Sequence, residues 1–322
     1  MTLTHSAPPR RHPSGAPARR SGRPSPALFS RRLSPRGLLW LAPAVLILLS
    51  FVYWPLVQNF AFSMTEWDVY TGTREFVGLE NFSRLAADPV FHRSLLNNLL
   101  YAGLSLIFQV AGALLLAVVI ESRRSERLRR ALRAIYFVPS AISLTVAGLL
   151  FYFIYEPKLG MLNHLLEAVN LGALAQPWLG QESTAMLGII MMSQWQGFGY
   201  STLLFAVAIQ RIPRELYEAA EIDGIGPVRQ FFTITVPLVR EMSGLMVIVT
   251  ISGAFQVFNE VMVMTSGGPN NSTQVLGTWL YHNGFSRNDF GYAAAIATVI
   301  FVVTISIGLV QMWYTKRRRV QW

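Results

Sequence analysis

The sequence has no cysteine and only two lysines, Lys158 and Lys316, among its 322 residues. Without cysteine the chain has no disulfide, no thiolate nucleophile and no cysteine-based metal site. Its five histidines are scattered, with no HExxH pattern or paired spacing. A GxxxxGK[ST] motif is also missing, so the chain does not bind ATP through a P-loop. We therefore predict no catalytic residue, no metal ligand and no cofactor bound by this chain.

Charge is scarce as well. Charged residues make up 14% of the chain, against about 25% in soluble domains, while 52% of residues are hydrophobic and the mean hydropathy is +0.38. The shortage of charge indicates lipid rather than water as the surroundings. A helix crosses a bilayer with ~20 apolar residues, and six stretches meet that length: 38–64, 95–120, 134–155, 185–209, 238–264 and 292–314.

The basic residues are unevenly distributed between the segments that join these spans. Of the 27 Lys and Arg, 22 lie before the first span, in 121–133, in 210–240 and in 316–319. Basic loops are retained in the cytoplasm, so both termini are predicted to be cytoplasmic, as an even number of spans requires. The net charge of +10 is thus explained by topology, and no nucleic-acid partner is expected. Residues 1–36, rich in Pro, Ser and Arg, are predicted to form a disordered cytoplasmic tail.

One polar insert separates two of the most apolar stretches. Residues 213–237 read PRELYEAAEIDGIGPVRQFFTITVP, which predicts a helix from Pro213, a left-handed stop at Gly224 and a second helix opened by Pro227. Pro237 would end that helix before the fifth span. A solvated connector and a DNA-binding helix-turn-helix are the alternatives. The segment is too long for a mere connector and too acidic for the second.

The insert resembles the EAA loop of ATP-binding-cassette (ABC) importer permeases. That pattern is Glu-Ala-Ala, three residues, Gly, nine residues and Ile-x-Leu-Pro, with Val236 here in place of the commoner Leu. Further matches are FVGLENF (76–82), GMLN (160–163), WLG (178–180), WQGFGY (195–200) and FNEVMVMTSGGP (258–269). The resemblance extends from about residue 38 onward, and is greatest to the six-span subunits of carbohydrate or glycerol-phosphate importers.

The resemblance implies a fold and a set of partners. The fold would be all-α, a polytopic membrane protein of the cell membrane with six transmembrane helices and both termini inside, of the MetI-like ABC importer permease type. The domain would be 37–322, with its coupling loop at 210–237. The chain would pair with a second homologous permease, two cytoplasmic ATPase subunits that use ATP and Mg, and an extracytoplasmic binding protein. Its ATPase-coupling residues would be Glu218, Ala219, Ala220, Asp223, Gly224 and Pro237.

A path for the solute needs polar or aromatic groups inside the bundle. Amides and carboxylates bind sugar hydroxyls, and aromatic faces stack on C–H surfaces, so the candidates are Gln194, Trp195, Tyr200, Gln256, Asn259 and Glu260. Glu260 is the one clear ionisable candidate within the spans, and Asn259 departs from the commoner Asp of the family. Polar residues that serve helix packing alone are the competing interpretation.

Three other functions are weighed against a carbohydrate importer. Glycerol-phosphate or another small polar solute is possible because the EAA loop is shared, but the spans contain no basic residue to line an anion path apart from Arg240, at the predicted cytoplasmic entry to the fifth span. A secondary transporter normally needs several intramembrane carboxylates or broken helices. A membrane enzyme or assembly factor would need a catalytic cluster, and none is visible.

Overall fold

The computed structural model describes residues 35–67 and 72–317. Its internal contacts divide the chain into two parts, one ending at Trp54 and the other beginning at Pro55. The predicted tail of residues 1–36 lies outside the described residues apart from its last two. These two residues, Pro35 and Arg36, begin helix α1 (Pro35–Leu48).

The first predicted span corresponds to a helical run over Trp40–Phe62, which is long and apolar enough to cross a membrane. A wide, π-type turn over Leu49–Tyr53 follows α1, and helix α2 (Trp54–Phe62) continues the run. Pro55 has no N–H to offer the carbonyl four residues before it. The widened turn ends at Tyr53, two residues before this proline.

Two more predicted spans are confirmed as long apolar helices. One runs over Pro89–Glu121 for 33 residues and consists of α4 (Pro89–Ser105), a wide turn (Leu106–Gly112) and α5 (Ala113–Glu121). It begins where the Asp88 side chain accepts a hydrogen bond from the backbone N–H of Val90 at 2.8 Å, as expected of an N-cap. The other is α16 (Phe290–Arg317), apolar over Phe290–Trp313.

The fourth predicted span is helix α9 (Ala185–Ile209), with the predicted limits. Its 25 residues are enough to cross a bilayer. Among the described residues, however, only three helices are both long and apolar enough to be membrane spans on their own, and α9 is not one of them. Its middle contains Ser193, Gln194 and Gln196, and the first two are buried inside the protein.

The third predicted span, 134–155, is wrong as a single straight helix. The chain forms α6 (Glu126–Phe137), a tight turn (Val138–Ala141) and α7 (Leu144–Ile154), and the two helical segments meet at 91°. Pro139 lies in the turn, and Ser143 has an extended backbone that ends helical hydrogen bonding. With 11 residues, α7 is about 16 Å long, roughly half of a bilayer core.

The fifth predicted span, 238–264, is also interrupted. After α10 (Arg214–Ile222) come α11 (Pro227–Gln230), a wide turn (Phe231–Thr235), α12 (Val236–Leu238) and α13 (Arg240–Phe255), with a bend of 72° between α12 and α13. The chain then leaves the helix at Gln256 and resumes it in α14 (Asn259–Met264). Neither break carries a proline at the break itself.

A small β-hairpin departs from the all-α expectation. Strand β1 (Thr65–Trp67) pairs antiparallel with β2 (Arg74–Phe76), with Thr65 opposite Phe76. The guanidinium of Arg74 lies 3.8 Å from the centre of the Trp67 ring, a cation–π contact across the pair. The remaining short elements are α3 (Glu80–Ala87), α8 (Met161–Ala168), a turn (Gly172–Leu174), α15 (Leu276–Tyr281) and a wide turn (His282–Ser286).

Helix α9 lies at the centre of the packing. Its first half contributes Ile189 and Ile190 to a core shared with α4, α7 and α14, and its second half contributes Phe205 and Ala206 to a core shared with α5 and α13. A third core joins α3, α15 and α16. Helix α9 therefore connects the two cores.

We predict that Gly199→Ala destabilises the protein. Gly199 lies on α9 where α6 ends, and a Cβ there would collide with the backbone carbonyl of Tyr136, which no side-chain rotation can relieve. Overpacking of this kind costs about 1–3 kcal/mol, so the melting temperature in detergent is expected to fall. Gly103→Ala, on α4 with open space around it, is the control. An unchanged melting temperature for Gly199→Ala contradicts the close approach.

Candidate functional site

The polar insert forms a compact pair of helices, α10 and α11. Gly224 has φ +72°, the left-handed conformation that glycine adopts without strain, and its N–H bonds to the Glu221 carbonyl at 3.0 Å. Ile225 N–H bonds to the Ala220 carbonyl at 2.8 Å, and Pro227 is the first residue of α11. The predicted helix, glycine stop and proline start are therefore all found in the structure.

Side chains also hold the two halves of this insert together. The hydroxyls of Tyr217 and Thr235 lie 2.9 Å apart, and Gln230 donates to the Ile225 carbonyl at 2.9 Å. Phe231 and Ile234 pack on the core of α5 and α9, where they were expected to face apolar surroundings. The shape and position of the insert are therefore set by contacts within the chain.

The predicted coupling residues differ in exposure. Glu218, Ala219, Asp223, Gly224 and Pro237 are exposed, whereas Ala220 is buried. Of the two alanines, only Ala219 therefore lies on the surface, because Ala220 is buried. Four large apolar side chains add to the exposed surface of the insert: Leu216, Ile222, Val228 and Phe232.

A cavity of about 770 Å³ separates the insert from the basic segment 121–133. The insert contributes Arg214, Glu218 and Glu221 to its wall. The basic segment contributes Arg123, Arg124, Arg129 and Arg133 from the opposite side, together with Glu121 and Glu126. The carboxylates of the insert therefore face a wall that is mainly positive.

One ion pair fixes the floor of this cavity. Arg133 donates two hydrogen bonds to Glu121, from Nε to Oε1 at 2.9 Å and from Nη2 to Oε2 at 2.8 Å, and both side chains are largely shielded from solvent. Such bidentate pairs are the strong ones. Gln210 reaches the same carboxylate at 3.4 Å. The ends of α5 and α9 and the helix α6 therefore meet at Glu121.

Two of the predicted solute-path residues are buried in hydrogen-bond networks. Gln194 accepts from Gln109 and donates to Ser105, each at 3.0 Å. Glu260 is 3% exposed and accepts a hydrogen bond from the hydroxyl of Tyr101 at 2.8 Å. The Tyr101 hydroxyl also contacts that of Ser193, so α4 links α9 to α14.

The other four predicted path residues lie on the surface. Trp195 and Tyr200 are 38% and 50% exposed on α9, and Gln256 and Asn259 are exposed on either side of the break between α13 and α14. Trp195 packs its ring on Phe151 of α7, with the centroids 5.1 Å apart. The structure therefore separates the six candidates into an inner pair and an outer group.

Polar residues of the second span were missed by sequence reasoning. Asn98 donates to the Ala254 carbonyl at 2.6 Å and accepts from the Leu276 N–H at 2.9 Å. Asn97 donates to the Ser272 and Gln274 carbonyls at 2.7 and 2.8 Å. The signal was available, because polar residues recur at helical spacing within an apolar stretch at Asn97, Tyr101, Ser105 and Gln109.

A second cavity, of about 300 Å³, lies at the other end of the long helix Pro89–Glu121, which is about 50 Å in length. Asp88 lines it and accepts hydrogen bonds from the Trp279 indole at 2.8 Å and the Tyr292 hydroxyl at 2.5 Å. Burial favours the neutral acid, but these hydrogen bonds outweigh it and hold the pKa of Asp88 below its usual value.

Among the described residues, no group of three His, Asp or Glu side chains is arranged to hold a metal ion. The arrangement as a whole is a helical membrane protein with an exposed polar insert, two interrupted spans and a polar network at one of the breaks. These features are typical of a multi-pass membrane transport subunit.

Residues 110–320 match the family model described as "Binding-protein-dependent transport system inner membrane component". A probable ABC transporter permease of Bacillus subtilis, YurN, is 47% identical over 278 residues, covering 86% of this chain and 95% of the relative. The chain therefore belongs to this family of inner-membrane transport components and has the MetI-like ABC permease fold.

Two other relatives have names that state a solute. The arabinooligosaccharide transport permease AraP of Bacillus subtilis is 32% identical and covers 94% of each chain. The sn-glycerol-3-phosphate transport permease UgpA of Pectobacterium atrosepticum is also 32% identical, over 86% of this chain and 92% of its own. The fold matches a bacterial alginate ABC importer with a TM-score of 0.77 at 24% identity, over 88% and 97% of the two chains.

We predict that Asp88→Asn lowers the stability of the protein near neutral pH. The variant should also lack the part of the acid-induced decrease in stability that comes from protonation of this carboxylate. The folded pKa lies below 3.8, the ordinary value, so the carboxylate stabilises the protein above that pH. This contribution is lost as the pH falls through the folded value. Thermal unfolding across acidic to neutral pH measures it, and the variant should approach the parent in acid. A constant difference at every pH contradicts the assignment.

Proposed function

We propose that this chain is the transmembrane subunit through which a carbohydrate enters the cell, in an ABC importer driven by separate ATPase subunits. The supporting observation is the exposed, internally braced insert 213–237 in a chain without a P-loop. An exposed surface that the described residues do not cover suits a partner, and the missing P-loop motif is consistent with a partner that uses ATP and Mg.

In this proposal the chain crosses the membrane six times with both termini inside. The charge asymmetry supports it, because 22 of 27 basic residues fall on one side. The bent segments 126–154 and 227–255 would count as spans together with α9 and the three straight helices. Residues 1–36 would be a cytoplasmic tail, and 37–322 the permease domain.

The insert would be the contact with the ATPase. Glu218 and Asp223 offer carboxylates to basic groups of the partner, while Ala219 and Gly224 leave space for close approach. Ala220 acts indirectly, by holding α10 to Ile225. Pro237 precedes the 72° bend, where the insert joins α13. ATP-driven movement of the partner would rotate the insert as a unit and carry α9 and α13 with it.

The solute would pass along the exposed group Trp195, Tyr200, Gln256 and Asn259. In a permease paired with a second homologous subunit, this surface would line the path between the two. The inner residues Gln194 and Glu260 would shape the path from behind, because their polar atoms are already bonded within the chain. An extracytoplasmic binding protein would deliver the solute.

Glycerol-phosphate is the second candidate, supported by the UgpA relative. An anionic solute calls for basic groups, yet the four exposed path residues are neutral. The AraP relative and the amide and aromatic character of this surface therefore favour a carbohydrate.

We predict that Glu218→Lys abolishes uptake in cells that express the complete transporter, while the protein still reaches the membrane. The charge reversal would repel the basic group that the carboxylate is proposed to bind. Uptake of labelled solute and solute-stimulated ATPase activity are the measurements. Glu75→Lys, the same change on the exposed strand β2, is the control. Normal uptake by Glu218→Lys would falsify the coupling role.

We predict that Asn259→Leu raises the apparent KM for a carbohydrate about threefold to tenfold, the loss of one neutral hydrogen bond. Gln181→Leu, an exposed amide away from the break, should leave KM unchanged.

Uptake of labelled oligosaccharides and of glycerol-phosphate by the parent transporter decides the solute class. Uptake of glycerol-phosphate alone rejects the carbohydrate proposal.

A further inference from the structure

Helix α6 and the turn that follows it carry an apolar stripe that none of the described residues covers. Leu128, Ile135 and Val138 are 46%, 64% and 61% exposed, and Ala131 between them is exposed as well. Leu128, Ala131 and Ile135 are three and four residues apart, which places them on one face of the helix, and Val138 follows in the turn. Exposed apolar stripes of this kind mark a contact surface.

The opposite face of α6 fixes the helix at the end of the second span. Arg133 holds Glu121, the last residue of the helix Pro89–Glu121, and the Tyr136 backbone lies against Gly199 of α9. A span of 33 residues is longer than the ~20 that cross the bilayer, so its charged end lies at the membrane boundary. Helix α6 is therefore held at that boundary.

The direction of α6 is across the spans. The segment containing it meets α7 at 91°, so if α7 runs through the bilayer, α6 lies parallel to the membrane surface. An amphipathic helix in that position buries its apolar face at the boundary between headgroups and acyl chains. Two helices thus take the place of the straight helix predicted as the third span: α7, which is long enough for half of a span, and α6, which lies in the membrane plane.

The charge beside the stripe is positive. Arg127 is exposed and directly precedes Leu128, and Arg124 is exposed in the bend before α6, where it also borders the cavity. Arg130 is paired with Glu126 at 3.1 Å, whereas the described residues show no ion pair for Arg124 or Arg127. Basic side chains flanking an apolar in-plane face are the chemistry that binds anionic lipid headgroups.

We propose that α6 is an in-plane helix that binds anionic lipid. Its stripe Leu128, Ala131, Ile135 and Val138 enters the headgroup region, while Arg124 and Arg127 bind lipid phosphate. The contact holds the floor of the 770 Å³ cavity at the membrane surface, beside the insert that moves. This placement depends on contacts of α6 and not on which solute is transported.

The absence of cysteine makes a direct test possible. Ala131→Cys in the full-length chain is labelled with a nitroxide and reconstituted in vesicles of equal parts phosphatidylglycerol and phosphatidylethanolamine. Paramagnetic relaxation then compares dissolved oxygen, which enriches in lipid, with a water-soluble nickel chelate. We expect preferential oxygen access at residue 131, and preferential chelate access for the control Ala219→Cys on the exposed surface of α10.

Two results would overturn the lipid contact. Preferential chelate access at residue 131 would mean that the stripe faces water. Protection from both reagents would mean that a protein surface, such as a second copy of this chain, covers it. Neither result touches the transport proposal, since no uptake is measured.

A second experiment tests whether Arg124 and Arg127 bind an anionic headgroup. Arg124→Gln with Arg127→Gln in the labelled chain should reduce oxygen access at residue 131 at least twofold in phosphatidylglycerol vesicles, and leave it unchanged in phosphatidylcholine alone. Arg93→Gln, an exposed arginine near the far end of α4, is the matched control. The same change in both lipids, or no change in either, rejects phosphate binding by these arginines.

Discussion

Breaking a helix inside an apolar bundle leaves backbone groups without partners, and this structure depends on one side chain that supplies them. The carboxamide of Asn98 donates to the carbonyl of Ala254 at the end of α13, and accepts from the N–H of Leu276 at the start of α15. Unpaired groups there would cost several kcal/mol each in an apolar setting. A single asparagine therefore allows the chain to stop one helix and begin another.

The neighbours of Asn98 extend this support to the rest of the break. Asn97 holds the loop carbonyls of Ser272 and Gln274, and Tyr101 holds Glu260. All three residues lie on α4, which is uninterrupted over Pro89–Ser105, and they brace a segment whose helix is interrupted at Gln256. Helix α4 therefore fixes the geometry of the interrupted segment α13–α14, and this geometry places Gln256 and Asn259 at the surface.

The sequence allowed prediction of elements whose signals are local. Gly224 and Pro227 determine the turn of the insert through their own backbone preferences, and the long apolar runs around α1, α4–α5 and α16 determine helices by composition. The break in the fifth predicted span was missed because its cause is distant, whereas Pro139 marks the break in the third span within the local sequence. Ala254 leaves its helix near a carboxamide 156 residues away. Likewise, the burial of Ala220 depends on its packing within the folded insert, which periodicity alone does not reveal.

In the insert, the residues that determine its shape differ from the residues that form its exposed surface. Its shape comes from buried or internal contacts, such as Tyr217 with Thr235 and Ala220 with Ile225. Its outward surface comes from other residues, among them Glu218, Ile222 and Val228. Substitutions on that surface can therefore alter which partner is recognised without refolding the segment. Under the proposed coupling role, the choice of partner would depend on a few exposed side chains of the insert and not on the backbone that positions them.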